Sequence, residues 1–93
     1  MTVTIETTFG SAHLTISPGM EDVYEGLCRF RTDTGENLLE QEEDIRRYVV
    51  LICAYPLIED DQICRILGIT PGKARMIGGY LTTIGAMVRV EPD

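Results

Sequence analysis

The stretch Glu59-Asp-Asp-Gln-Ile-Cys-Arg-Ile-Leu-Gly-Ile-Thr-Pro-Gly-Lys-Ala-Arg-Met-Ile77 decides how this chain is read. Ile63, Ile66 and Leu67 recur at helical spacing behind three carboxylates, which favour a helix start because the first backbone amides there are unpaired and positive. Gly68 supplies the left-handed residue that ends such a helix. After Ile69, Thr70 offers a side-chain cap and Pro71 takes the first helical position, where its missing N–H costs nothing. The pattern predicts a helix of about two turns, a tight Gly68-Ile69-Thr70 turn, and another helix that runs towards Ile84 and stops at Gly85.

Upstream, Leu39 to Tyr55 predicts the strongest helix of the chain. Ile45, Tyr48, Val49 and Ile52 form its stripe, Glu40, Glu42, Glu43 and Asp44 crowd its start, and Pro56 closes it. Downstream, Ala86 to Val90 alternates as a final strand ending by residue 91. The opening residues also alternate: Val3, Ile5, Thr7 and Phe9 share one face, and Ala12, Leu14 and Ile16 continue the pattern after a two-residue Gly10-Ser11 turn. A β-hairpin over residues 1–18 follows, closed by Ser17-Pro18-Gly19. From Met20 the period becomes helical through Val23, Tyr24 and Leu27, while Cys28 to Arg31 also suits a strand and 32–37 reads as a loop or hairpin tip.

The chain has 93 residues, of which 44% are hydrophobic and 25% charged, enough apolar material for one domain spanning 1–93 and too much for disorder. No apolar run is long enough to span a bilayer and no basic leader precedes an apolar stretch, so a cytoplasmic protein without membrane contact is expected. The formal net charge of -7 argues against a protein that grips nucleic acid with its whole surface. Its distribution is uneven. Between Asp61 and Glu91 there is no acidic side chain, and Arg65, Lys73, Arg75 and Arg89 all fall there. Cys28, Cys53 and Cys64 lack metal-ligand spacing, and Cys53 and Cys64 sit among apolar neighbours, which predicts core thiols in a reducing compartment, with no metal and no cofactor.

Helix, short helix, three-residue turn, capped helix, glycine and apolar strand are the elements of a winged helix-turn-helix in order. Thr70-Pro-Gly-Lys-Ala-Arg-Met-Ile77 followed by Leu81-Thr-Thr-Ile-Gly-Ala-Met-Val88 resembles the recognition-helix region of winged-helix transcription regulators of the MarR and ArsR kind. The likeness covers residues 39–90. It implies a tri-helical core over 39–85 followed by a wing strand, 86–91, and leaves residues 1–38 unexplained. With the hairpin and the short helix and loop of 20–38, the expected fold is α+β, the N-terminal hairpin completing a small antiparallel sheet with the wing strand. The likeness also implies that the helix from Thr70 enters the major groove of duplex DNA. Carried over position by position, DNA contacts fall on Thr70, Gly72, Lys73, Arg75, Met76, Gly79, Tyr80 and Arg89. Lys73 and Arg75 suit phosphate or a guanine edge, and Met76 suits a thymine methyl. Ala74, Ile77, Leu81 and Ile84 form the burying stripe of that helix.

A homodimer is expected, because one module with so few bases binds weakly. Gly78 and Gly79 each cost the helix roughly 1 kcal/mol, so either something packs closely against the backbone there, the favoured reading, or the helix is irregular. A second reading is an acidic winged-helix protein-protein interaction module or inhibitor, of the kind phages and plasmids encode, that binds a basic or nucleic-acid-binding partner. Its site would be Glu40, Glu42, Glu43, Asp44, Glu59, Asp60 and Asp61, residues that equally serve as helix starts and solvated charge. No phosphate-binding glycine loop, nucleophile elbow or paired metal ligands point to an enzyme, and His13 stands alone on a polar strand face.

Overall fold

In the computed structural model, residues 1–87 are described. Their architecture is α+β, a two-stranded antiparallel sheet followed by five helices. Threonine-rich alternation gives β1 (Thr2–Thr7) and β2 (Gly10–Thr15), with Thr2 opposite Thr15 and Ile5 opposite Ala12. One face turns inward, so that Ile5 and, just past β2, Ile16 are fully buried. The connecting residues are Thr8 and Phe9, not the expected Gly10 and Ser11, and Gly10 opens β2 at φ +107°. The reason lies in hydroxyl chemistry. Thr7 Oγ1 accepts from Phe9 N at 3.0 Å and donates to Gly10 O at 2.7 Å, which closes the turn two residues early. Phe9 therefore leaves the apolar face and is 78% exposed.

A single 3-10 turn over Pro18–Met20 leads into α1 (Glu21–Arg29), which buries Tyr24 and Leu27. The helical alternative wins for this segment, and Arg31 keeps only one bridge, to Asn37 across the loop. The single helix expected from Leu39 is divided. Asn37 Oδ1 accepts from Leu39 N and starts α2 (Leu38–Gln41), Glu42 becomes extended at φ -151°, and α3 (Glu43–Ala54) begins afresh. Leu38, fully buried, ties the first turn to the core while Glu42 to Asp44 supply the carboxylates of the second start.

α3 is the central element. Hairpin, α1, α2, α4 and α5 all pack on it, so burial extends beyond one stripe to Ile45, Val49, Val50, Leu51 and Cys53, with Tyr48 and Ile52 at the edge. α4 (Asp60–Leu67) carries a capping box between Glu59 and Gln62, and Gly68 ends it at φ +69°. α5 (Pro71–Thr83) follows, capped by Thr70 Oγ1 accepting from Lys73 N at 3.1 Å. Beyond it Ala86 and Met87 are not strand: both backbone N–H groups donate to Leu81 O and wrap the helix end. The rest of the expected wing strand, with Arg89, lies outside the described residues. The expected third strand of the sheet is therefore not seen among them.

Burial pushes the Tyr24 phenol up to about 12, helped by its hydrogen bond with Cys28, and pushes the Cys53 thiol up to about 11. Both groups hold their protons more tightly folded than unfolded, where they titrate near 10.0 and 9.0. Their contribution is complete below pH 9 and is lost as pH rises through about 11 and 12. Urea midpoints should accordingly fall steadily above pH 9, and Tyr24→Phe should flatten the upper part of that fall.

Hairpin and helices are joined by arginines. Arg47 Nη1 donates to Glu6 O at 3.1 Å and Leu67 O at 3.0 Å while Nη2 pairs with Asp44, and Arg46 Nη2 donates to Thr4 O at 2.9 Å. Only 13% of the Arg47 side chain is exposed, so its loss leaves carbonyls and a carboxylate short of donors in a partly dry site. Arg47→Ala should cost about 2–4 kcal/mol in urea unfolding. Arg47→Lys should recover little of it, because an ammonium cannot span acceptors that a planar fork reaches together.

Candidate nucleic-acid interface

α5 buries Ala74, Ile77 and Leu81, with Ile84 half-buried, as its period requires. The opposite face carries Gly72, Arg75, Met76 and Gly79, and Met76 is 69% exposed. Thr70 spends its hydroxyl on the cap. Lys73 and Tyr80 lie along one flank, each turned to the junction of α2 and α3. Lys73 Nζ pairs with Glu42, and Tyr80 Oη donates to Gln41 Oε1 at 3.0 Å. Together they wall a recess of about 300 Å³ floored by Ile45 and Ile77. The Glu42 carboxylate holds the Lys73 ammonium above its usual range.

Arg75, on the outward face, borders a recess shared with Asp60, Tyr48 and Gly79. Arg65 lines neither recess and opens instead on a groove beside Tyr55 and Leu57. The described basic residues of the acid-free stretch thus stand in three separate places and do not form one strip. What the sequence missed is the partner of Lys73. Glu42 sits 31 residues away and faces α5 only because the chain breaks helix there.

The acidic residues divide in the same way. Glu42 serves Lys73, Glu43 pairs with Arg46 at 3.6 Å, Asp44 holds Arg47, and Glu59 caps α4. Glu40, Asp60 and Asp61 are exposed and, among the described residues, have no basic partner. Among those residues no group of His, Cys, Asp and Glu is placed to hold a metal ion, and no helix is long and apolar enough to cross a membrane.

The close approach expected at the paired glycines is present at one of them. A Cβ on Gly78 would stand 3.1 Å from Tyr48 Oη, whereas one on Gly79 would meet nothing within 4 Å. Tyr48 from α3 therefore packs directly on the backbone of α5, and Gly79 leaves the outward face flat.

A scan against protein-family models finds no match to this chain, and neither do comparisons with curated proteins or with solved structures.

The two glycines should respond differently to substitution. Gly79→Ala should stabilise the protein by about 0.5–1 kcal/mol through helix propensity alone. Gly78→Ala should gain less, because the phenol must give way, and the deficit should shrink on a Tyr48→Phe background in a double-mutant cycle by urea unfolding.

Proposed function

We propose that α3, α4 and α5 form a helix-turn-helix unit of the winged-helix kind, and that the chain is a small regulator contacting duplex DNA through α5. The observation that carries this reading is the outward face of α5. Exposed Arg75 and Met76 stand between Gly72 and Gly79, on a helix that follows the sharp Gly68 turn from α4 and has no carboxylate of its own. Glycines on either side let a helix sit deep in a major groove, where a guanidinium reads guanine and a thioether meets a thymine methyl.

Charge sets the strength. The Lys73–Glu42 pair is partly exposed, 31% and 46% at its two side chains, and such surface pairs are weakly held, so a phosphate can draw Lys73 away from Glu42, and each phosphate neutralised releases counterions. A single copy offers few such contacts, so the reading includes a homodimer on two half-sites. The second reading, an acidic module for a basic protein partner, is favoured by the exposed carboxylates of Glu40, Asp60 and Asp61. It leaves the face of α5 without a task.

Fluorescence anisotropy with mixed-sequence duplexes across a salt series distinguishes the two. Binding should appear at low salt and weaken steeply as salt rises. Arg75→Ala should reduce it roughly tenfold, Lys73→Ala should reduce it together with the salt slope, and Glu42→Gln should strengthen it by freeing Lys73. No binding at low salt, or binding indifferent to Arg75→Ala, overturns the DNA reading. Capture of a basic protein that survives Arg75→Ala and is lost in Glu40→Gln/Asp60→Asn/Asp61→Asn supports the second.

A further inference from the structure

A surface cavity of about 610 Å³ lies between the α3–α4 connection and α4, and no α5 residue lines it. Its making is local. Tyr55 N donates to Leu51 O and ends α3, Pro56 cannot continue the helix, and Ile58 N donates to Tyr55 O. The turn sends Ile58 inward and Leu57 outward, leaving Leu57 95% and Tyr55 54% exposed beside the half-buried Ala54, Ile58 and Ile66. An apolar knob thus stands next to an apolar hollow.

Charge at the rim is arranged in the same paired way. Arg65 lines the groove with no acidic partner among the described residues. Asp61, one turn earlier on α4 and exposed, has no basic partner among them either. The i, i+4 spacing sets Asp61, which does not itself line the groove, on the same side of α4 as Arg65, so a knob, a hollow, a cation and an anion stand close together.

We propose that a second copy of this chain docks on the groove across a two-fold axis. Leu57 of each copy enters the hollow formed by Ala54, Ile58 and Ile66 of the other, and Arg65 of each meets Asp61 of the other. A two-fold contact requires a patch that complements itself, and this one does so in both shape and charge. A basic peptide would set its charge against Arg65, and a neutral apolar ligand would leave the guanidinium buried without a partner. The net charge of -7 makes two copies repel at long range, so the contact forms where salt screens that repulsion beyond roughly 8 Å. The proposal deepens the DNA reading, which needs two copies. Its test contains no DNA, so either can fail without the other.

Sedimentation equilibrium of the full chain at physiological salt tests it. The expected result is a dimer with a dissociation constant on the order of 10 μM, typical of a small interface. Leu57→Asp, Arg65→Glu and Asp61→Arg should each weaken it at least about tenfold, while the Arg65→Glu/Asp61→Arg double variant should restore it. All three positions are exposed, and circular dichroism verifies that each variant stays folded. A monomer at every concentration gives the groove to a different occupant and overturns the proposal. So does a dimer indifferent to Leu57→Asp, or a double variant no better than its parents.

Discussion

The planar guanidinium of Arg47 ties the hairpin, α3 and the end of α4 together by hydrogen bonds laid over the apolar core that the three share. A two-stranded hairpin is marginal in water and must be anchored to something. Here the anchor is polar on one side and apolar on the other. Ile5 and Ile16 enter the core beneath the sheet, while Arg47 gathers the carbonyls of Glu6 in β1 and Leu67 at the end of α4. Asp44, one turn earlier on the same helix, fixes the fork in that orientation. The hairpin returns the contact at its tip, where Thr8 N donates to Ile66 O at 2.9 Å and Thr8 Oγ1 to Arg65 O at 2.7 Å. The last carbonyls of α4, which no helix can satisfy for itself, are thereby taken up by a strand turn and an arginine. Gly68 is confined twice over, by its left-handed φ of +69° and by the Thr8 methyl, which would stand 2.8 Å from any Cβ placed there.

That arrangement explains how a strongly acidic chain uses its few bases. Arg46 and Arg47 bond the hairpin backbone, and Lys73 bridges to Glu42. Arg75 and Arg65 remain available on different faces, one on α5 and the other on α4. Any electrostatic attraction to a polyanion must work against the carboxylates of Glu42 and Asp60 on either side of α5. The outward face of that helix compensates through shape. With glycine at 72 and 79 its backbone can approach a partner more closely than a helix bearing side chains at those positions.

Helices were legible where one local signal sufficed. Thr70 before Pro71, Gly68 after Leu67, and Gly85 after Ile84 each mark a boundary within a residue or so of where it stands. Two features escaped because their causes are not local. The break at Glu42 accompanies the burial of Leu38 in the core, and the acidic residues around it suit a continuous helix start equally well. The turn at Thr8 and Phe9 is fixed by hydroxyl bonds of Thr7 and by the end of α4, whereas alternation alone placed Phe9 inside and the turn at Gly10. The same limit applies to the candidate site. Periodicity gave the burying stripe Ala74, Ile77 and Leu81 of α5, but it turned Lys73 and Tyr80 outward and was silent on Glu42, Gln41 and Tyr48, which decide how Lys73, Tyr80 and Gly78 are used.

α4 links the two proposed surfaces. Ile63 and Leu67 bury one side of this helix, Arg65 and Ile66 open on the groove from another, and its C-terminal Gly68 turn delivers the chain into α5. Because the clamp of Arg47 and Thr8 fixes the end of α4, the groove and the face of α5 keep one mutual orientation within a copy. Two copies joined through the grooves would then hold their α5 helices at one separation, set by α4 and not by any flexible connection. Under both proposals together, the spacing of half-sites on a duplex would be a property of a helix only eight residues long, and loosening its C-terminal clamp would blur that spacing while leaving each face of α5 unchanged.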